Sequence, residues 1–253
     1  MQILVTNDDG IQAKGLAVLL EALQSIKDEN GAQAHDIYVV APDDERSGVS
    51  HSMTLQRPAR VRKLSDHRFC CSGTPADCVI IAGLWLLDRK PDLVISGINA
   101  GPNLGNDIIY SGTCGAARQA AFGNIPAIAV SCASYAPQMD YRACAWFVAK
   151  HLEELLALWK PETFVNINGP SSADENLPAL WTHPGNNSYS DTLTTIERKN
   201  GDTYFILGEG TQDRPEDVAS DHQVTDEGSI SVGLVAIHPV SAHDPSLDGK
   251  PVF

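Results

Sequence analysis

The chain has 253 residues, 43% of them hydrophobic and 20% charged, which excludes a disordered chain and suits one large domain around an extended core. It carries 18 Lys and Arg against 32 Asp and Glu, a net charge of −14, and such a surface repels nucleic-acid backbone and anionic lipid. A small anionic substrate remains compatible with that charge if a bound divalent cation reverses the field locally, so the sequence has to supply a cation site.

The opening MQILVTNDDG lacks the basic flank and apolar run of a signal peptide, and no stretch nears the roughly 20 apolar residues of a membrane span. A cytoplasmic protein is expected. Gln2–Thr6 reads as a short apolar strand, Leu16–Ile26 as a helix with Leu16, Leu19, Leu20 and Leu23 at helical spacing, and Asp36–Ala41 as a second strand. SGVSHSMTL is a loop or short strand, and ARVRKL and RFCCSG are candidates for a small antiparallel extension. The spacing predicts a helix over Pro75–Asp88, with Thr74 as N-cap and proline at its first position, and its apolar run Val79–Leu87 is expected to be buried. Asp92–Ser96 suits a central parallel strand buried on both faces. An alanine-rich helix over Gly115–Phe122, a strand over Pro126–Ser131, a long helix over Tyr141–Trp159 and a strand over Thr163–Ile167 continue the alternation. The expected fold is α/β: a Rossmann-like parallel sheet flanked by helices.

From Asn168 onward Gly, Pro, Ser, Asn and Asp increase, with strands expected at Tyr204–Leu207 and Ile230–Ile237 and a solvated acidic loop at Gly208–Asp221. The segment is too poor in apolar residues for its own core. One domain over 1–253 is expected, with 1–167 as its core and 168–253 as β-hairpins and a C-terminal arm whose unpaired edges call for a second copy of the chain. The six cysteines (Cys70, Cys71, Cys78, Cys114, Cys132 and Cys144) include no C-x-x-C spacing and read as buried reduced thiols.

Three loops fall at strand ends, where open α/β sheets build their sites. Asn7-Asp8-Asp9-Gly10 places two carboxylates after the first strand; if a turn at Gly10 makes them converge, their repulsion demands a cation or a raised pKa. The same four residues are also ordinary Asx-turn chemistry. Ser96–Asp107 is rich in glycine and asparagine, so its backbone can approach a ligand and its amides, Asn99 and Asn103 among them, can meet a metal or phosphate; it matches neither the P-loop nor the dinucleotide fingerprint. The Ser111-Gly112-Thr113 turn that follows is either a phosphate cradle or a plain helix cap. Arg46–Ser52 adds hydroxyls and His51, a candidate general acid as well as a plain surface histidine. With oxygen donors throughout and no nearby pair of histidines, Mg²⁺, Mn²⁺ or Ca²⁺ is favoured over structural zinc.

VTNDDGI at 5–11, SGVSHSMT at 47–54, GTPADCV at 73–79, SGINAGPNLGNDIIYSGTCGAA at 96–117 and VNINGP at 165–170 together resemble the SurE (survival protein E) family of metal-dependent 5′-nucleotidases and broad acid phosphatases. The resemblance implies one divalent metal ion per subunit, Mg²⁺ or Mn²⁺ before Ca²⁺, held by Asp8, Asp9, Ser47 and Asn99, with Asp8, Asp9 and Asn99 catalytic. It further implies a phosphate pocket at Asn103, Ser111, Gly112 and Thr113, nucleoside monophosphate substrates, and a dimer or tetramer built through the C-terminal hairpin and tail. Gln119 stands where family members commonly carry glutamate, and HPGNNSYSD at 183–191 lacks the arginines often found there. The expected chemistry is attack of metal-activated water on a phosphomonoester. The alternatives are a nucleotide- or metal-binding module without turnover, a broad acid phosphatase or exopolyphosphatase, and a phospho-aspartate route, for which D-x-D is usual and adjacent aspartates are not.

Overall fold

The computed structural model describes residues 1–213 and 216–238. Strand β1 (Gln2–Thr6), helix α1 (Lys14–Ser25) and strand β2 (Asp36–Pro42) form the opening βαβ unit, with the four leucines of α1 buried. Strands β3 (Val61–Ser65) and β4 (Arg68–Cys71) pair antiparallel, and β4 also joins β2 in parallel, so the extension belongs to the main sheet. Helix α2 (Pro75–Ile81) starts where expected: Asp77 N donates to Thr74 Oγ1 at 3.2 Å and Thr74 N to Asp77 Oδ2 at 2.8 Å, a reciprocal capping box. It is shorter than the predicted Pro75–Asp88, giving way to one π-helical turn over Ala82–Leu86. The expectation that all of Val79–Leu87 is buried is corrected, since Leu84 is 84% and Trp85 72% exposed. A helix packed on a sheet hides one stripe, and nine consecutive apolar positions extend round to its outer face.

Strand β5 (Leu93–Ala100), helices α3 (Asp107–Tyr110) and α4 (Gly112–Phe122), strand β6 (Ala127–Cys132), helices α5 (Arg142–Lys150) and α6 (Leu152–Leu158) and strand β7 (Thr163–Gly169) follow. The single long helix expected over Tyr141–Trp159 is interrupted at His151, whose φ of −112° and ψ of 25° leave the helical region. Six parallel strands lie in the order β4-β2-β1-β5-β6-β7. Numbered by their own sequence this is the doubly wound Rossmann arrangement, and the winding reverses between β1 and β5. Each face carries its own core: Ile3, Val5, Ile95, Val130 and Ile167 pack with α1 and α5, while Leu4, Val40, Val94, Ala129 and Phe164 pack with α2 and α4.

The C-terminal third contains β8 (Ala179–Trp181), β9 (Ser188–Glu197), β10 (Thr203–Asp213), helix α7 (Asp221–Asp226) and β11 (Ile230–Ala236). β9 and β10 form a separate antiparallel hairpin, the extension expected from sequence. Strand β11 corrects two expectations, the end of the core at 167 and the unpaired edge at Ile230–Ile237. It lies within the nine-stranded sheet, antiparallel to β7 with Val232 opposite Ile167, and parallel to β8 on its other side. The strand supplies apolar residues to both faces: Ile230 and Val232 enter one core, Val235 and Ile237 the other. The solvated loop expected at Gly208–Asp221 is also corrected, because β10 runs to Asp213 and Asp221 opens α7 almost fully buried. The part of the expected C-terminal arm beyond His238 lies outside the described residues. All six cysteines are free and buried, as expected.

Candidate active site

β1 ends with Thr6 opposite Ser96 of β5, so Asn7-Asp8-Asp9-Gly10 emerges where the winding reverses. The turn is real: Asn7 Nδ2 donates to Gly10 O at 2.9 Å, and Gly10 takes a φ of +99° that only glycine adopts freely. It is not the Asx-turn that the sequence also allows, because the Asn7 amide donates and its buried Oδ1 accepts no hydrogen bond among the described residues. Asp8 points inward, 2% exposed. Thr113 Oγ1 donates to Asp8 Oδ1, Thr113 N donates to Asp8 Oδ2 at 3.1 Å, and Arg46 N donates to the Asp8 carbonyl at 2.7 Å. Gly112 makes this approach possible, since a Cβ there would stand 2.9 Å from both Asp8 Cβ and Oδ2. Asp9 is half-buried and accepts Ala100 N on Oδ2 at 3.0 Å. Asn99 gives its Nδ2 to Gly101 O at 2.9 Å, which leaves its amide oxygen as the available atom.

Burial pushes the Asp8 carboxyl above its ordinary range, against the opposing pull of the Thr113 hydrogen bonds. Burial, then the neighbouring Asp8 charge, pushes Asp9 up to about 6, with the Ala100 N–H acting in the opposite direction. Among the described residues, no ion pair includes either carboxylate. A buried and an adjoining half-buried carboxylate without a cationic partner among the described residues, together with an amide oxygen, fit a hard divalent cation. No group of three or more His, Cys, Asp or Glu side chains is placed to share a metal among the described residues. Hydroxyl, amide and water oxygens would complete the shell, as such cations accept.

The other residues singled out from sequence are distributed around this pair. Ser47 is exposed, on the loop that Arg46 ties to Asp8. Ser111 is the N-cap of α4, its Oγ accepting Cys114 N at 3.0 Å. Asn103 is buried, giving one amide hydrogen to Ser131 Oγ at 2.7 Å. His51 faces elsewhere: its Nε2 lies 2.9 Å from Gln119 Oε1, its ring stacks on Phe122, and burial lowers its pKa. Three supports are missed in sequence. Asn166 and Asn168 hold the Asn103 backbone; two amides two apart in an apolar strand share one face, a signal the period of two carries. Asp77 accepts Thr54 N and so pins the far end of the Ser47 loop. Asp221 accepts Gly105 N at 2.8 Å, tying the asparagine loop to α7, which no local pattern announces. A cavity of about 590 Å³ at Met1, Gln2 and Asp36 lies at the amino ends of β1 and β2, away from the carboxyl ends where such folds bind ligands.

A doubly wound α/β sheet with a carboxylate pair at its reversal point places the chain among the open α/β proteins whose ligands bind at the carboxyl ends of the strands. A family profile described as "Survival protein SurE" matches residues 3–191, and the chain belongs to the SurE family. It is 39% identical over 234 residues to the "5'-nucleotidase SurE" of Geotalea daltonii, covering 92% of this chain and 91% of that one. To the "5'-nucleotidase SurE" of Geobacter sulfurreducens it is 40% identical, covering 95% and 87%. The crystal structure of the Sure protein from Aquifex aeolicus superposes with a TM-score of 0.80 at 30% identity, covering 98% of this chain and 97% of that one.

Proposed function

We propose that the chain is a metal-dependent 5′-nucleotidase, a phosphoric monoester hydrolase that releases phosphate from nucleoside 5′-monophosphates. The observation that carries this is the pair of the buried Asp8 and the half-buried Asp9 at the β1/β5 reversal, without a cationic partner among the described residues. Asp8, Asp9, Ser47 and Asn99 would hold one divalent ion, Mg²⁺ or Mn²⁺. When bound, the ion supplies Lewis-acid charge toward the phosphoryl group and the attacking water. Asp8, gripped on both oxygens by Thr113, is the fixed anchor. Asp9 carries a protein hydrogen bond on Oδ2 alone and orients the attacking water with its other oxygen.

On the phosphate side the second Asn103 amide hydrogen is a donor not used by Ser131, and the Ser111 hydroxyl would have to turn from Cys114 to serve as another. Thr113 and Gly112 act there mainly by holding Asp8 in place. The interleaving of β11 with the core supports one domain over the whole chain. The β9–β10 hairpin exposes Leu193, Phe205, Ile206 and Leu207, which supports a dimer or tetramer assembled through it. No helix among the described residues is long and apolar enough to cross a membrane. The test is phosphate release from a nucleoside 5′-monophosphate with Mn²⁺ or Mg²⁺, abolished by chelator and by Asp8→Asn. Binding without release, or release indifferent to chelator, refutes the reading.

A further inference from the structure

We propose that a cavity adjoining the carboxylate pair is a second anion subsite, one that takes a further phosphate carried on the sugar of the same nucleotide substrate. The inference rests on the phosphomonoesterase reading above. The cavity has a volume of about 440 Å³ and is lined by Arg46 and Arg57, with Ser52, Ser72 and Thr74 among the hydroxyl residues, and by no carboxylate. In a chain of charge −14, two guanidiniums facing one cavity single out an anionic ligand.

The two arginines are in different states. Arg46 reaches across to Ser72 O at 3.2 Å and Gly73 O at 3.4 Å, and approaches Asp43 only at 3.5 Å. Asp43 is itself closer to Arg60, at 2.8 Å. Arg57 is exposed and makes no hydrogen bond or ion pair among the described residues. Its five N–H donors are therefore open to a ligand, in the fork geometry that matches phosphate.

The cavity shares a wall with the active site. Arg46 and Val49 both line it, and they flank Ser47. The Arg46 main chain bonds Asp8 O at 2.7 Å. A Val49 methyl lies 3.1 Å from the point where a Gly112 side chain would begin, and that point is 2.9 Å from Asp8 Oδ2. A phosphoryl group bound through a cation at Asp8 and Asp9 thus has the guanidinium cavity on the other side of the Arg46–Val49 segment. Phosphates on the 3′ and 5′ carbons of one ribose are only a few bonds apart, which suits a subsite that adjoins the pair.

Equilibrium binding to the full chain carrying Asp8→Asn, which does not turn over, separates this idea from the phosphatase reading. Calorimetry at saturating Mn²⁺ would compare adenosine 5′-monophosphate with adenosine 3′,5′-bisphosphate, before and after adding Arg57→Gln, an exposed change compatible with folding. The bisphosphate should bind about tenfold tighter, the contribution of a charge-assisted hydrogen bond in a partly wet site, and Arg57→Gln should reduce that preference to below about threefold. In the Mn²⁺-loaded wild-type chain the same preference should show in KM more than in kcat. Equal affinities for the two nucleotides overturn the proposal. So does an Arg57→Gln effect equal on both, which would make the arginine a contact for base or ribose. Failure of the wild-type chain to hydrolyse the monophosphate would refute the phosphatase reading and leave the binding comparison decisive for the subsite.

Discussion

Replacing Asp9 with asparagine should make the metal-free protein more stable while ruining its site. Burial and the neighbouring Asp8 charge raise the Asp9 carboxyl from 3.8 to about 6, so between those values the folded chain binds more protons than the unfolded one. Folding stability from this group therefore falls as pH rises from about 4 to about 6 and stays low above that. The distance between the two values corresponds to roughly 3 kcal/mol, and solvent around the half-buried carboxylate reduces it to about 2 kcal/mol. Asparagine keeps an acceptor for Ala100 N and has no charge to desolvate. In chelator at pH 7, urea denaturation should place Asp9→Asn about 2 kcal/mol above wild type, with the gap closing near pH 4. Titration with Mn²⁺ should show the reverse order, the variant binding far more weakly. A variant that is less stable than wild type in chelator at pH 7, or whose advantage is the same at both pH values, refutes the electrostatic reasoning.

Thr113→Val removes the hydroxyl that holds Asp8 Oδ1 and should weaken Mn²⁺ binding by about 10- to 100-fold, as loss of a support to a ligand does; unchanged affinity by calorimetry would remove Thr113 from this role. Asn99→Ala should lower metal affinity and phosphate release with little change in melting temperature, since a loop amide contributes little packing; the opposite pattern would make it structural. Ile230→Ala should cost about 2–4 kcal/mol in denaturant unfolding, because β11 is in the core, whereas a peripheral arm would lose almost nothing. Placing serine at Phe205 and Leu207 together should halve or quarter the mass seen by light scattering, and a wild-type chain that is already monomeric at micromolar concentration would exclude assembly through the hairpin.

The first two-thirds of the fold is legible because its strands and helices bury themselves locally. DLVIS and PAIAVS are apolar on both faces, as central parallel strands must be, and the turn at Gly10 lies directly after one such run. Strand β9 is illegible for the opposite reason: in SYSDTLTTIE every residue is exposed, so no buried face stamps a period on it. ISVGLVA is readable as a strand, yet nothing within it names its neighbour; pairing with β7 is decided by an edge more than sixty residues earlier. The carboxylate pair is visible as spacing, and its support by Thr113 is not, because Asp8 and Thr113 meet only after β5 has paired with β1 and α4 has packed on the sheet.

That late pairing also bears on how the molecule is made. While the chain is still being synthesised, β7 can dock on β6 as soon as both have emerged, but its outer edge stays open until Ile230–Ala236 follows. During that interval a nascent chain presents an unpaired strand carrying Phe164, Val165 and Ile167, a template on which another copy can add its own strand. The order of the sheet thus makes the last described strand a timer for safe folding, and conditions that slow elongation late in the chain should raise aggregation without altering the stability of the finished protein.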